Sequence, residues 1–300
     1  MNINYDTENY RMPHSLAYHV VVNALEGKSG WTPMNRFSSA ISHIIGGHLP
    51  YQRYHAAGKA RMLAKTGAGV IERMVNDFLA TDMNPGYLLL SSFQQETDVL
   101  TAFNAYNQSA RLGVQTRLGT HGYARRSGNQ SAVQLENEAA AHAGRTELDD
   151  PDPCRQGTLA IVETMLSTTR KNALLPHGPQ KRSLTSMARL LGVESSTAAE
   201  VAILFEQEGY LPIADVARSL GCHQRTLERR LRESGITAES LRQASRLVRA
   251  SHRLASPDSL TTIAFAEGFS DLAHMTRAFQ HASGMPPSLI RKLIRLPHVP

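Results

Sequence analysis

Cysteine is nearly missing from this chain: two thiols in 300 residues cannot build a disulfide framework or a cysteine-rich zinc module, so a reducing compartment is expected. Aromatic residues make up only 6% and Trp occurs once. Long apolar runs are absent too. The stretch from Ala17 to Val22 is broken by His19, and MNINYDTENYRMPHSLAYHVVV has no basic region ahead of its apolar part. Nothing there is long enough to span a bilayer or built like a secretory leader. The expectation is a soluble, cytoplasmic protein with no membrane partner. Enzyme signatures are lacking as well. There is no Gly-x-Ser-x-Gly, P-loop or HExxH, and Gly67-Ala68-Gly69 does not satisfy the dinucleotide fingerprint. His43 and His48 in HIIGGH lack the i, i+4 spacing of a helical zinc pair. No catalytic residue, metal or other cofactor is therefore expected.

What is present is positive charge, and its distribution is uneven. The formal net charge is +6, with 32 basic against 26 acidic residues. From Glu208 onward there are thirteen basic and eight acidic residues, a balance of +5, which leaves +1 for residues 1–207. Twelve of those thirteen are Arg, whose planar fork suits phosphate oxygens and guanine edges. A polyanionic partner is expected for the last third of the chain.

Helical and strand signals are mixed in the first part. Ala57 to Leu79 has helical spacing interrupted at Gly67-Ala68-Gly69, and Val99 to Ala110 reads as a helix burying Leu100, Phe103, Ala105 and Tyr106. Gly86 to Leu90 reads as a short strand, and Val114 to Leu118 and Ser131 to Leu135 alternate with the period of half-buried strands. Asp149 to Pro153 is a turn or helix entry, Leu159 to Thr168 a helix, and Leu175 to Arg182 an irregular loop. From Ser183 onward the pattern is helical. Tyr87, Phe93, Phe103, Tyr106 and Tyr123 could line an apolar ligand pocket or simply fill a core.

The C-terminal part contains a duplication. Val216/Ile263, Ala217/Ala264 and Gly221/Gly268 match at an offset of 47, and Leu227/Met275, Arg229/Arg277 and Leu231/Phe279 at 48. Each copy has the parts of a helix-turn-helix. A small Ala lets two helices approach, and a Gly four residues on can take the left-handed conformation that ends the first of them. His223, or Ser270 and Asp271, then starts a second helix with one buried and one outward face. Between the copies, Ala238 to Ala255 reads as an amphipathic helix of ~27 Å, with Leu241, Ala244, Leu247, Val248, Ser251 and Leu254 on one stripe. Such a rod can hold two reading heads at a fixed spacing.

The segment from about Leu211 to Arg295 resembles the DNA-binding domain of the AraC/XylS family of bacterial transcription regulators. The likeness is densest in IAFAEGFSDLAHMTRAFQHASGMPPSLIRK, Ile263 to Lys292. Ala273 stands where the family often has Ser, Met275 where Phe is usual, and Leu289-Ile290 where Tyr is common. Pro85 to Ser92, the helix around Ala102 to Ala110, Leu175-Pro176-His177 and Leu190-Leu191-Gly192 resemble the arabinose-binding-like sensor branch of that family. The resemblance implies an α+β N-terminal sensor domain followed by an all-α DNA-binding domain with two helix-turn-helix motifs joined by a linker helix. The expected division is a ligand-sensing and dimerisation domain over 1–192, a linker over 193–207 and the DNA-binding domain over 208–300. Double-stranded promoter DNA, RNA polymerase, a small-molecule effector and a second copy of the chain are the implied partners. The implied activity is effector-responsive activation of transcription.

In the first motif Gln224, Arg225, Glu228 and Arg229 are the expected base readers. In the second, Leu272, Ala273, His274 and Thr276 face outward and either meet thymine methyls and phosphates or contribute little sequence information, while for Arg277, the repeat of Arg229, base contact and a phosphate or structural role are both open. Arg242, Arg246, Arg249 and Arg253 are expected to form a general electrostatic face. One alternative is a DNA-repair or DNA-modifying enzyme delivered by the helix-turn-helix, for which Cys154 is the sole candidate nucleophile, Cys222 reading as a packing residue. Another is a non-specific architectural binder, which the fixed spacing of two unlike heads argues against.

Overall fold

The computed structural model describes residues 14–26, 31–46, 49–64, 69–109, 115–118, 133–136, 151–176, 178–179, 181–209 and 211–295. The first described helices are α1 (Leu16–Leu25), α2 (Pro33–Gly46), α3 (Tyr51–Leu63) and α4 (Val70–Thr81). Then come α5 (Pro85–Leu90), α6 (Glu96–Ser109), α7 (Asp152–Ala173), α8 (Leu184–Leu190) and α9 (Thr197–Glu208). The last part is α10 (Ile213–Ser219), α11 (Gln224–Glu233), α12 (Ala238–Arg253), α13 (Leu260–Ala266), α14 (Leu272–Ser283) and α15 (Pro287–Ile294). Among the described residues β-structure is confined to two antiparallel pairings. β1 (His14–Ser15) lies against β2 (Leu49–Pro50), and β3 (Gln115–Leu118) against β4 (Val133–Glu136), with Gln115 opposite Glu136.

The expectation of an α+β sensor domain is therefore overturned: the described N-terminal part is built of packed helices, and pairings of two and four residues make no sheet layer. The strand expected over Gly86 to Leu90 is a helix. Asn84 caps it by accepting from the Gly86 amide at 3.0 Å, and Pro85 occupies its first turn, where the missing N–H goes unneeded. All six residues of α5 are buried. An element buried all round shows a continuous apolar run in either conformation, so periodicity cannot separate the two.

Elsewhere the helical spacing resolves as α3 and α4, with Gly69 at φ 74° entering the second. Gly67, Ala68, Asp149, Asp150 and Tyr123 lie outside the described residues, as do His48 and His177. α7 starts earlier and ends later than the expected helix, Pro151 standing at its N-cap. Tyr87, Phe93, Phe103 and Tyr106 are buried core residues.

α4 and α7 pack on one another, α1 sits against α3, α4 and α7, and α2 lies on both α12 and α14. The core is continuous from Phe37, Ile41 and Ile44 through Val75, Leu79 and Phe205 to Leu247, Met275 and Phe279. Each such side chain contributes about 1.5–3 kcal/mol on burial. Polar contacts run across the same seam. Ser38 Oγ donates to the Gly235 carbonyl at 3.0 Å, and Ser109 Oγ to that of Gly284 at 2.8 Å. Among the described residues no helix is long and apolar enough to cross a membrane.

Candidate nucleic-acid interface

The first reading head is α10 and α11. Val216 and Ala217 are buried where the helices cross, and Gly221 takes φ 63°. That left-handed turn lets the Gly221 amide reach the Arg218 carbonyl and the Cys222 amide that of Ala217, at 3.1 and 3.0 Å. α11 then buries Leu227 and Leu231. Its opposite face exposes Gln224, Arg225 and Arg229, with Glu228 half-buried beside them. The expected base readers are partly tied to one another. Gln224 Nε2 donates to Glu228 at 2.8 Å, Arg232 lies 3.7 Å from the same carboxylate, and Arg229 is 3.8 Å from Glu233. Arg225 has no ion-pair partner among the described residues. The spacing argument passes over Arg230, which is exposed on the same helix.

The second head, α13 and α14, repeats this geometry. Ile263 and Ala264 are buried, Gly268 has φ 80°, and the Phe269 amide reaches the Ala264 carbonyl at 2.9 Å. Asp271 caps α14 by accepting from the His274 amide at 2.6 Å. That amide above all, with the Ser270 hydroxyl, holds the Asp271 carboxyl below its ordinary value. Met275 and Phe279 are buried, while Ala273 and Arg277 are exposed and Thr276 is half-buried.

Two of the expected outward residues are placed differently. Leu272 is half-buried and packs on the core, because the cap turn tucks the first residue of α14 inward. His274 Nδ1 accepts from the Ser270 amide at 3.3 Å, and its ring stands edge-on to Phe269.

In the arginine stripe of α12, expected as a general electrostatic face, Arg242, Arg249 and Arg253 reach carbonyls and carboxylates of the protein itself. Arg249 pairs with Glu267 at 2.6 Å and donates to the Phe205 and Glu206 carbonyls at the end of α9. Arg253 pairs with Asp258 and Glu267 at 2.6 and 3.1 Å. Arg242 lies over the Phe205 ring, 5.3 Å from its centroid and within the ~6 Å of a cation–π contact, and bonds Glu239 and the Leu211 carbonyl. Arg246 is half-buried. The residue that organises this network is Glu267, whose side chain is only 2% exposed. Its signal in the sequence is a lone acid just ahead of Gly268 in the second motif, which gives no hint of two cations 14 and 18 residues upstream.

Cys154, on which the enzyme alternative rests, is fully buried and donates to the Tyr54 carbonyl at 3.2 Å. A thiol so placed lacks the exposure that nucleophiles need. His43 is buried against Asp82 at 3.1 Å. Among the described residues no three His, Cys, Asp or Glu side chains gather as a metal-holding group.

Residues 216–293 match the family described as helix-turn-helix domain. No curated protein matches the chain. The crystal structure of transcriptional regulator CdpR from Pseudomonas aeruginosa is similar over 97% of this chain and 100% of its own, with 16% identity and a TM-score of 0.31. Residues 216–293 are therefore a helix-turn-helix domain, the kind of unit that binds DNA.

Proposed function

We propose that this chain reads promoter DNA in a sequence-specific way through α11 and α14 and acts as an effector-responsive activator in the cytoplasm. The observation that carries this reading is the duplication in three dimensions. Two helix-turn-helix units of like geometry, joined by α12, each expose an arginine at the same helical position, Arg229 and Arg277. Gln224, Arg225, Glu228 and Arg229 are the base readers of the first head. Ala273, Thr276 and Arg277 make the contacts of the second, with Arg277 on a base edge or a phosphate. Residues 208–300 form the DNA-binding unit, and residues 1–192 sense the effector and pair with a second copy of the chain. RNA polymerase is the protein partner at the promoter. No catalytic step belongs to this reading.

Mobility shifts with the chain's own upstream promoter, comparing the wild type with Arg225→Ala and Arg229→Ala, test it. Altered base preference at defined positions is expected. Unchanged specificity in both variants would sink the role given to α11.

A further inference from the structure

Between α4 and α7 lies a groove of about 480 Å³ with charge separated along its length. Glu72 of α4 and Glu163 of α7 line it together. Neither carboxylate has an ion-pair partner among the described residues, and partial burial together with Glu72 pushes the Glu163 carboxyl up from its ordinary range. Further along, Asn76 and Thr164 are hydrogen-bonded across the groove. Beyond them stand Lys171 and Arg182. Arg182 marks the far end, because it donates to the Leu79, Ala80 and Asp82 carbonyls where α4 finishes. Eight residues separate Glu72 from Ala80, as they do Glu163 from Lys171, a rise of about 12 Å along either helix.

Tyr87 forms part of the wall at the cationic end, with the Arg182 guanidinium 5.0 Å from its ring centroid. It is 2% exposed, and its hydroxyl completes no hydrogen bond although Arg182 and Thr168 lie beside it. A buried hydroxyl without a well-formed hydrogen bond is unfavourable, and a ligand oxygen at this position would supply the missing acceptor.

We infer that the groove between α4 and α7 is a binding site for a linear molecule with a carboxylate at one end and a distal ammonium or guanidinium at the other. Lys171, Arg182 and the Tyr87 hydroxyl receive the carboxylate, and Glu72 with Glu163 receives the cation. A single positive group would relieve the repulsion between the two acids, and the separation of the ends selects an elongated molecule over a compact zwitterion. The backbone of Arg182 also touches the DNA-binding unit, its carbonyl lying 2.7 Å from His252 Nε2 on α12. As the effector class of the regulator, the assignment rests on the sensing role proposed above for residues 1–192.

Calorimetry on the full chain tests the site with L-lysine and 6-aminohexanoate as probes, and with hexylamine and hexanoate as single-charge controls. A saturable heat is expected from at least one of the two probes, with both controls weaker by at least about tenfold. Glu163→Gln and Tyr87→Phe should each weaken the probe by about tenfold, the unliganded melting curve of each variant confirming its fold. No heat from either probe up to about 10 mM, where millimolar affinity is still visible, overturns the site. A control that binds as well as the probe, or full affinity in Glu163→Gln, overturns it too. Fluorescence anisotropy with promoter DNA separates the two readings: a probe that binds the groove but leaves DNA affinity unchanged upholds the site and refutes the sensing role.

Discussion

Asn84 donates through Nδ2 to the Ala282 carbonyl at 2.8 Å, a bond that spans 198 residues of sequence and ties the entry of α5 to the second reading helix. The same amide donates to the His43 carbonyl at 2.9 Å, and its oxygen caps α5. Asn84 is fully buried. Asn84→Ala strands two carbonyls and one amide at once, so a loss of about 2–4 kcal/mol is expected in urea denaturation. A change of under about 1 kcal/mol would mean that the seam is hydrated and the bond unimportant.

Glu267 holds Arg249 and Arg253 with a side chain almost wholly out of water. Glu267→Ala leaves Arg249 with the Phe205 and Glu206 carbonyls and Arg253 with Asp258 as their remaining partners. Because both guanidiniums are about one-third exposed and can turn to solvent, the expected cost is about 2–3 kcal/mol, below that of a fully buried pair. The unfolding midpoint in urea is the measurement, and an unshifted midpoint removes Glu267 from the role of organiser.

Arg225 and Arg249 should separate in DNA binding. Arg225→Ala is expected to cost about 1–3 kcal/mol on the cognate site and to relax preference there. Arg249→Ala should lower stability while leaving the slope of log affinity against log salt as it was, since the side chain is engaged internally. A slope that falls by about one in Arg249→Ala would return this residue to the phosphate-facing surface.

His252 is half-buried on α12, and that burial above all holds its pKa below the ordinary 6.5. The folded state therefore keeps the ring neutral where the unfolded chain would take up a proton. Stability from this group is fully present above pH 6.5 and declines as the pH falls toward the lowered folded value. Urea melts on either side of that window should show the decline, and His252→Gln should flatten it. Equal pH dependence in the variant would assign the effect elsewhere.

Much of the reading unit was legible because its signals are local. Gly221 and Gly268 end helices in the left-handed region, as their spacing after Ala217 and Ala264 requires. Leu227, Leu231, Met275 and Phe279 are buried as a 3.6-residue period demands. The N-terminal part was misread where local signals conflict. Pro85 to Leu90 is apolar throughout, and only the Asn84-Pro85 pair marks it as a helix start. The fate of Arg249 was not legible at all. Its charge is visible in sequence, but the carbonyls of Phe205 and Glu206 that claim it belong to another helix, and no pattern of spacing reports on contacts across 43 or 44 residues. Charge counting locates cations; it does not say which of them face water.

α2 lies on α12 and α14, reaches the turn after α11 through Ser38 and Gly235, and approaches α14 so closely at Gly46 that a methyl group there would stand 3.1 Å from His281 Nε2. Neither head can swivel about α12 without disturbing that brace. Helical phase then becomes part of what the protein reads. Adding about five base pairs between two half-sites, half of a ~10.5 base-pair turn, carries the second onto the far side of the duplex, where a pair of heads locked together has no way to follow it.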